Sequence, residues 1–316
     1  MDIGLMVEGQ YGINWARWTH IYQLAERLGF PSLFRSDHYF IGEQRDALDT
    51  YTSLAIAAHD TQHIRMGTLV SPMTFRSPVE MARMAASIDL LSGGRFVLGM
   101  GAGWNEAEHT AYGISFPEVG ERSGRLVEAV AVVRALWADG PTSFDGRYYH
   151  LDGADMLPKP AAGRPWLLVG GSGPKRTLKV AAQHADEWNA VNSPFATYAE
   201  RAATLDAHCA TFDRDPMSIK RSMMTFSLVG HNTAAVHHAA EVTAMRTGRG
   251  PEGAQRLLES APDRGALHGT AEQIIDQLGK LAELGISEVQ FQHMDFDDDS
   301  VPQFLAEEVA PHVKHL

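Results

Sequence analysis

Several features are scarce in this sequence of 316 residues, and each absence excludes a class of protein. Cys209 is the single cysteine, so no internal disulfide can form, which favours a reducing cytoplasm. No run approaches the roughly 18 consecutive apolar residues of a membrane-spanning helix. The chain starts with Asp2 and Glu8 and lacks the basic region of a secretory signal. The sequence therefore predicts a cytoplasmic protein with no membrane segment.

Basic residues are also outnumbered. The 27 Lys and Arg residues face 39 Asp and Glu residues, which gives a formal net charge of -12. A nucleic-acid-binding protein is expected to show a basic face, and attachment to anionic membranes also depends on basic residues. The charge balance argues against both partners.

What the sequence does contain is a regular alternation of short apolar runs and amphipathic segments. Capping boxes start two of these segments, with Ser77 and Glu80 in one and Thr270 and Gln273 in the other. Eight strands are predicted: Ile3–Val7, Ser32–Arg35, Arg65–Val70, Phe96–Met100, Trp166–Val169, Glu187–Val191, Ser222–Val229 and Glu288–His293. Eight βα units predict an α/β fold, a (β/α)8 TIM barrel that occupies residues 1–316 as one domain. A doubly wound sheet is the alternative, but no G-x-G-x-x-G follows the first strand.

Two stretches exceed a minimal barrel and are predicted insertions after strands four and seven. Residues 140–165 contain Asp145-Gly146, which is a hairpin signal. Residues 231–268 are rich in His, Gly and Pro around a predicted helix.

Polar and Gly-rich segments follow the strands, where a barrel of this kind carries its active site. The stretch "GRFVLGMGAGWNEAEHTAYG" places Gly101 and Gly103 at the end of strand four, before Trp104, Asn105 and Glu106. Glycine at a strand end is typical of a backbone close to a ligand. The alternative is a bend followed by a helix cap, with Glu106 and His109 as a structural pair one turn apart.

A candidate anion site follows strand five in "VGGSGPKRTL". Gly170, Gly171, Ser172 and Gly173 lead into a helix predicted to start near Pro174, with Lys175 and Arg176 in its first turn. Backbone N–H groups and a helix N-terminus together favour a bound phosphate. A tight turn with solvated basic residues is the alternative.

Four segments together resemble the bacterial luciferase-like flavin and deazaflavin barrel family: "SDH", "TLVSPMTFRSP", "GRFVLGMGAGWNEAEHTAYGISFP" and "WLLVGGSGPKRTLKVAAQHADEWN". The resemblance covers most of residues 1–195 and resumes at "GTAEQIIDQLGKLAELG". It is closest to the branch that uses the deazaflavin coenzyme F420. It implies a homodimeric oxidoreductase that transfers a hydride between F420 and a small organic substrate. The alternative within the family is an FMN-dependent monooxygenase that uses reduced flavin and O2.

The resemblance also implies roles for particular residues, whereas the absence of a metal is predicted from the sequence itself. His38 and Asp37 are the implied catalytic residues, and Trp104 and Tyr39 the implied substrate contacts. A cis peptide is expected between Val70 and Ser71. The implied cofactor contacts are Asp37, Val70, Ser71, Gly101, Ala102, Gly103, Asn105, Val169, Gly170, Gly171, Ser172, Gly173 and Arg176.

His38 is expected to matter for turnover more than for folding, because a histidine can exchange a proton near neutral pH. Trp104 stands where some family members have a glutamate, which argues against the sugar-phosphate chemistry of those members. Two rivals from other classes are a metal-dependent hydrolase barrel and a ligand-binding barrel without catalysis. No H-x-H follows strand one, and His237-His238 falls in a helical insertion, so converging metal ligands are not predicted.

Overall fold

The computed structural model describes residues 1–161, 164–250 and 252–316. Its strands are β1 Asp2–Val7, β2 Ser32–Arg35, β3 Arg65–Thr68, β4 Ser71–Pro72, β5 Phe96–Gly101, β6 Thr142–Asp145, β7 His150–Ala154, β8 Trp166–Gly170, β9 Glu187–Val191, β10 Lys220–Phe226, β11 Leu228–Val229, β12 His268–Gly269 and β13 Glu288–His293.

The α-helices are α1 Trp15–Leu28, α2 Thr50–Asp60, α3 Pro78–Ser92, α4 Glu106–Ala111, α5 Val119–Trp137, α6 Thr177–His184, α7 Phe195–Thr211, α8 Thr233–Arg246, α9 Gly253–Arg264, α10 Ala271–Glu283, α11 Ser300–Phe304 and α12 Ala310–Val313. Short 3-10 helices span Gly9–Tyr11 and Pro216–Ser218, and a π-helical turn spans Leu305–Val309. Within the residues that the structure describes, none of the helices combines the length and the hydropathy of a membrane-spanning segment.

The strands close into a parallel barrel. Their order is β3-β2-β1-β13-β10-β9-β8-β5, and β3 pairs with the start of β5 to complete the circle. β4 pairs with the end of β5 and so continues the strand position of β3. The predicted α/β TIM barrel is therefore confirmed, and each of the eight predicted strands is present. The reason is that each apolar run is covered on both faces, by the barrel interior and by a helix, as parallel strands require.

Local signals place the helices. Ser77 and Glu80 form both bonds of a capping box at the start of α3, and Thr270 and Gln273 repeat it at α10. Pro78 begins α3, where its missing N–H costs nothing. These signals set where the two helices start, and because all the barrel strands are parallel, their carboxyl ends meet at one mouth.

Two segments lie outside the repeating units. β6 and β7 form an antiparallel hairpin around Asp145, as the Asp-Gly signal predicted, between α5 and the fifth barrel strand. α8 and α9 follow β11, and Leu228, Ala244, Leu257 and Ala261 build a small core of their own. Both segments therefore add surface to the barrel without entering its strand order.

The third barrel strand is interrupted. β3 ends at Thr68, β4 begins at Ser71, and a cis peptide that does not involve proline lies between Leu69 and Val70. The prediction of a cis bond between Val70 and Ser71 was wrong by one residue, because Ser71 already belongs to the restored ladder opposite Met100. The irregular peptide therefore falls in the two-residue gap between the two pieces.

Candidate functional site

The carboxyl ends of the barrel strands enclose a cavity of about 610 Å³. This volume lies within the usual range for a small-molecule site. Its wall is mainly apolar, with a few polar groups from strand ends on different sides of the mouth. Of the residues named from the sequence, it brings together His38, Val70, Gly101, Ala102, Gly103, Trp104, Gly170 and Gly171.

His38 reaches this cavity as one half of a buried ion pair. Its Nδ1 lies 2.8 Å from Glu108 Oε1, and Glu108 is fully buried on α4. Burial lowers the pKa of His38, but the hydrogen bond and charge of Glu108 outweigh it, so the pKa is raised above 6.5. Since Nδ1 is engaged by the carboxylate, Nε2 is the ring nitrogen left to exchange a proton.

Glu108 itself has no role in the sequence-based prediction. That prediction paired Glu106 with His109, but Glu106 is exposed. His109 instead contacts the Asn105 carbonyl oxygen at 2.7 Å and Thr74 Oγ1 at 2.6 Å. The expected pair was wrong because α4 is a single short helix whose inward face carries residues 108 and 109. The segment "NEAEH" contains two carboxylates, Glu106 and Glu108, and the sequence alone does not show which one faces the barrel. The orientation of α4 in the structure places Glu108 inside and Glu106 outside.

Asp37 lies behind the cavity wall. Its Oδ2 accepts hydrogen bonds from Ser71 Oγ at 2.7 Å and Arg76 Nη1 at 2.6 Å, and Tyr51 Oη lies 2.9 Å from Ser71 Oγ. All four side chains are at least mostly buried. The carboxylate is therefore held by a cation and a hydroxyl beneath the interrupted third strand.

The strand-end glycines make room for Val70. A Cβ atom on Gly101 would lie 2.6 Å from Val70 Cγ2, and one on Gly170 would lie 2.7 Å from Val70 Cγ1. Such contacts are far inside van der Waals distance. The valine thus occupies the space above two neighbouring strands and forms part of the cavity floor.

The turn after β8 keeps backbone donors free. Gly171 has φ +114°, a conformation that favours glycine, and its N–H donates to the Asn189 carbonyl oxygen. The N–H groups of Ser172 and Gly173 make no hydrogen bond within the described residues. The helix begins at Thr177, three residues after the predicted start at Pro174, since residues 174–176 form a turn.

Several predicted contacts stand outside the cavity lining. Arg176 is exposed, and its Nη1 donates to the Gly120 carbonyl oxygen at 2.7 Å. Asn105 Nδ2 donates to the Phe40 carbonyl oxygen at 2.9 Å. Tyr39 packs its ring against Phe75 and Tyr112, with centroids 4.8 and 4.6 Å away. The remaining members of this set are Asp37, Ser71, Val169, Ser172 and Gly173.

Trp104 has a different setting, because its side chain is largely exposed at the cavity rim. Its ring meets that of His38 edge-on, with the centroids 5.5 Å apart and the planes at 72°. An aromatic face at the entrance beside a protonatable group is suited to contact a small organic molecule.

A buried carboxylate of the cavity wall, Glu8, was expected at the ring of strand ends but carried no predicted role. Glu8 follows β1 and accepts hydrogen bonds from Gln10 Nε2 at 2.6 Å and from Gln292 Nε2. Its charge helps to raise the pKa of His38. Its position after the first strand was the available signal, but the partner amide comes from the last strand.

Outside this cavity, His238, Asp295 and Asp298 each bring one potential metal ligand within 4.8 Å of the others. His238 is exposed on α8, and Asp298 already accepts a hydrogen bond from the Ser300 N–H at 2.7 Å. Asp295 and Asp298 are only half-buried, and acidic groups near the surface are common without a metal, so we assign no ion to them.

Comparison with known proteins places this barrel in a family. The family model described as luciferase-like monooxygenase matches residues 3–288. The chain belongs to this family. The match confirms the resemblance predicted from the sequence and the expected class of enzyme, an oxidoreductase of the luciferase-like family.

Curated relatives within the luciferase-like family include F420-dependent dehydrogenases, in agreement with the predicted branch. The F420-dependent hydroxymycolic acid dehydrogenase of Mycobacterium tuberculosis is 30% identical over 247 residues, which are 76% of this chain and 67% of that protein. The F420-dependent glucose-6-phosphate dehydrogenase of Intrasporangium calvum is 37% identical over 152 residues, 46% of each chain. The match thus spans about half the length of the second relative.

Solved structures share the fold over nearly the whole chain. An F420-dependent secondary alcohol dehydrogenase in complex with an F420-acetone adduct superposes with a TM-score of 0.82 at 22% identity and 99% coverage of both chains. A monooxygenase of Streptomyces bottropensis gives the same TM-score, identity and coverage. At this identity the likeness shows the fold alone.

Proposed function

We propose that this protein transfers a hydride between coenzyme F420 and a small organic substrate. The observation that carries the proposal is the cavity at the strand ends, where His38 is polarised by the buried carboxylate of Glu108 beside an open rim. The F420 dependence of the relatives supports the choice of cofactor. F420, when bound, supplies a ring carbon that gives or accepts the hydride.

The residues present fit an aromatic cofactor that carries a phosphate. The apolar floor at Val70 and the bare backbone of Gly101, Ala102 and Gly103 suit a flat ring. The two free N–H groups of Ser172 and Gly173, which follow the half-buried Gly170 and Gly171, suit an anion. Gly170, Gly171 and Thr177 on either side of these two residues line the cavity, so a phosphate there would lie next to the ring site.

Other residues act from behind this lining in our proposal. The hydrogen bond between Ser71 and Asp37 anchors the interrupted third strand. It thereby fixes the position of Val70, which would contact the cofactor ring. Val169 supports the start of the Gly170 turn, and Asn105 ties the segment after Trp104 to Phe40. Arg176 reaches a phosphate only by leaving the Gly120 carbonyl oxygen.

His38 is the proposed proton donor and acceptor at the substrate. Glu108 holds its Nδ1, so Nε2 faces the reacting atoms, and the raised pKa keeps the ring protonated toward neutral pH. Trp104 covers the rim and excludes water from one side. Tyr39 shapes the entrance through its contacts with Phe75 and Tyr112.

FMN with O2 is the second candidate, because a monooxygenase shares the fold as closely as the alcohol dehydrogenase does. The homodimer and the cytoplasmic location expected from the sequence belong to this proposal as well.

Oxygen dependence separates the two functions. The purified protein is incubated anaerobically with F420 and a panel of small alcohols, or with reduced F420 and the matching carbonyl compounds. We expect the visible absorbance of F420 to change at a rate that depends on the protein and on one substrate of the panel. Turnover that requires O2 and reduced FMN, with none on F420, would contradict the proposal.

A further inference from the structure

A second cavity of about 300 Å³ lies beside the first and is lined by three arginines. Its lining is Arg249, Gly253, Arg256, Leu257, Ser260 and Arg264. We call it the arginine groove. Among the described residues that line it there is no carboxylate, although the chain as a whole carries a net charge of -12.

The groove runs along one face of α9. Arg256, Ser260 and Arg264 are spaced four residues apart, so their side chains follow one another on the same side of the helix. The acidic residues of this helix, Glu259 and Asp263, are absent from the lining. The sequence of α9 thus directs cations and a hydroxyl into the groove and carboxylates away from it.

The guanidinium groups are only lightly engaged. Arg256 Nη2 lies 3.5 Å from Glu252 Oε2, and both side chains are mostly exposed. Arg249 donates to Thr247 Oγ1. Arg264 makes no hydrogen bond or ion pair within the described residues. An exposed pair such as Arg256–Glu252 contributes little, so most of the donor capacity is free.

Arg249 joins the two cavities, because it lines the arginine groove and the main cavity at the strand ends. The end of α9 is seated on the loop after β9: a Cβ atom on Gly265 would lie 2.1 Å from the Ser193 carbonyl carbon. The arginine groove therefore extends outward from the mouth of the main cavity along a helix fixed to the barrel.

We propose that the arginine groove binds the carboxylate or phosphate group of a ligand whose other end occupies the main cavity. Guanidinium forks match the geometry of these oxyanions and bind them with paired hydrogen bonds. Two ligands carry the required chemistry: the anionic glutamyl tail of the cofactor and an acidic substrate. The link to the cavity's contents rests on the proposed function, whereas anion binding by the arginine groove does not.

The test compares wild-type protein with the double variant Arg256→Gln/Arg264→Gln by titration calorimetry. Three probes are used: F420 with its glutamyl tail, the same deazaflavin without glutamates, and inorganic phosphate added to protein saturated with the tail-free form. Arg27→Gln is the matched control, since Arg27 is an exposed arginine near the end of α1. Thermal unfolding verifies that each variant is folded, because exposed substitutions change stability little.

The proposal predicts that the double variant binds at least one anionic probe, tailed F420 or phosphate, about tenfold or more weakly than wild type does. The affinity of Arg27→Gln for both probes should not change. A loss confined to tailed F420 identifies the tail as the ligand. A loss of phosphate binding with unchanged affinity for tailed F420 favours an acidic substrate, and both results support the anion site. If neither probe discriminates between the double variant and wild type, the proposal is overturned. If neither deazaflavin binds wild-type protein, the proposed function fails, while phosphate titrated into the unliganded protein still tests the arginine groove.

Discussion

At the scale of single residues, Glu108 controls the chemistry available to His38. Its carboxylate is fully buried, accepts the backbone N–H of Tyr39 at 3.0 Å and contacts His38 Nδ1 at 2.8 Å. Two hydrogen bonds hold this charge away from water, so it acts on the imidazole with little solvent screening. We therefore regard Glu108 as a positioning residue that also sets the pKa of His38.

Replacing Glu108→Gln removes the charge and preserves the size of the side chain. We expect the pKa of His38 to fall, since burial then acts with less opposition. The basic limb of the pH–turnover profile should move to lower pH, and kcat at neutral pH should fall about tenfold or more. F420 affinity should stay unchanged. The measurement is kcat and KM as a function of pH.

The control for this variant is Glu106→Gln, two residues away on the same helix but exposed. Its pH profile should match that of wild type. Identical profiles for Glu106→Gln and Glu108→Gln would show that the buried pair does not tune His38.

The same pair makes stability depend on pH. Since the folded pKa of His38 lies above 6.5, its stabilisation is complete below that value and is lost as the pH rises through the folded pKa. His38→Ala leaves the buried Glu108 carboxylate without its partner and should cost ~3 kcal/mol. This changes the expectation that His38 can be replaced without loss of stability. The sequence could identify His38 from its strand-end position, but its partner stands 70 residues away in a short helix.

At the scale of elements, the interrupted third strand shapes the cavity floor. Val70 stands in the gap between β3 and β4, and the neighbouring strands accommodate it with Gly101 and Gly170. The eight strands were predictable because apolar runs and capping boxes are local. The gap was not, because Arg65–Val70 is a continuous run in the sequence and only pairing with β5 shows that the ladder resumes at Ser71.

Gly101→Ala should destabilise the protein by ~1–3 kcal/mol, the usual cost of an overpacked core. The new Cβ would lie 2.6 Å from Val70 Cγ2, and a valine side chain has little freedom to turn away. Combining it with Val70→Ala should recover most of the loss. Urea unfolding of the single and double variants measures both effects.

Gly279→Ala is the matched control, since it places a Cβ in open space on α10. It should stabilise the helix by up to ~1 kcal/mol. If Gly101→Ala lowers the free energy of unfolding equally in the wild-type and Val70→Ala backgrounds, the contact between Gly101 and Val70 does not shape the cavity floor.

At the scale of the whole molecule, barrel closure buries two carboxylates in one interior layer. Glu187 and Glu288 have no exposed surface, and Lys220 Nζ and Arg65 Nη2 approach Glu288 and Glu187. Burial raises the pKa of Glu288, but the charges of Lys220 and Arg65 prevail and lower it, whereas burial and the neighbouring carboxylate raise the pKa of Glu187. In the sequence, Glu187 and Glu288 are simply the first residues of two distant predicted strands. Their proximity could therefore be recognised only in the closed barrel.

Lys220→Met should therefore lower stability at neutral pH by ~3 kcal/mol, because it removes a partner of a buried carboxylate. Because the pKa of Glu288 is lowered in the folded protein, its ionised carboxylate stabilises the fold at pH values above 4.5, the ordinary pKa of a glutamate. This contribution is lost as the pH falls through the folded pKa. The difference between variant and wild type should accordingly shrink on acidification. Urea unfolding across this pH range measures it, with Lys314→Met near the exposed end of the chain as control.

The central claim, a deazaflavin in the strand-end cavity, is tested most directly by titrating F420 and FMN into the same preparation. Tryptophan fluorescence of the protein reports binding, since Trp104 lies at the cavity rim. The account predicts that F420 binds more tightly than FMN, which shares the ring shape and the phosphate but has no glutamyl tail. Tighter binding of FMN, together with O2-dependent turnover on reduced FMN, would contradict it.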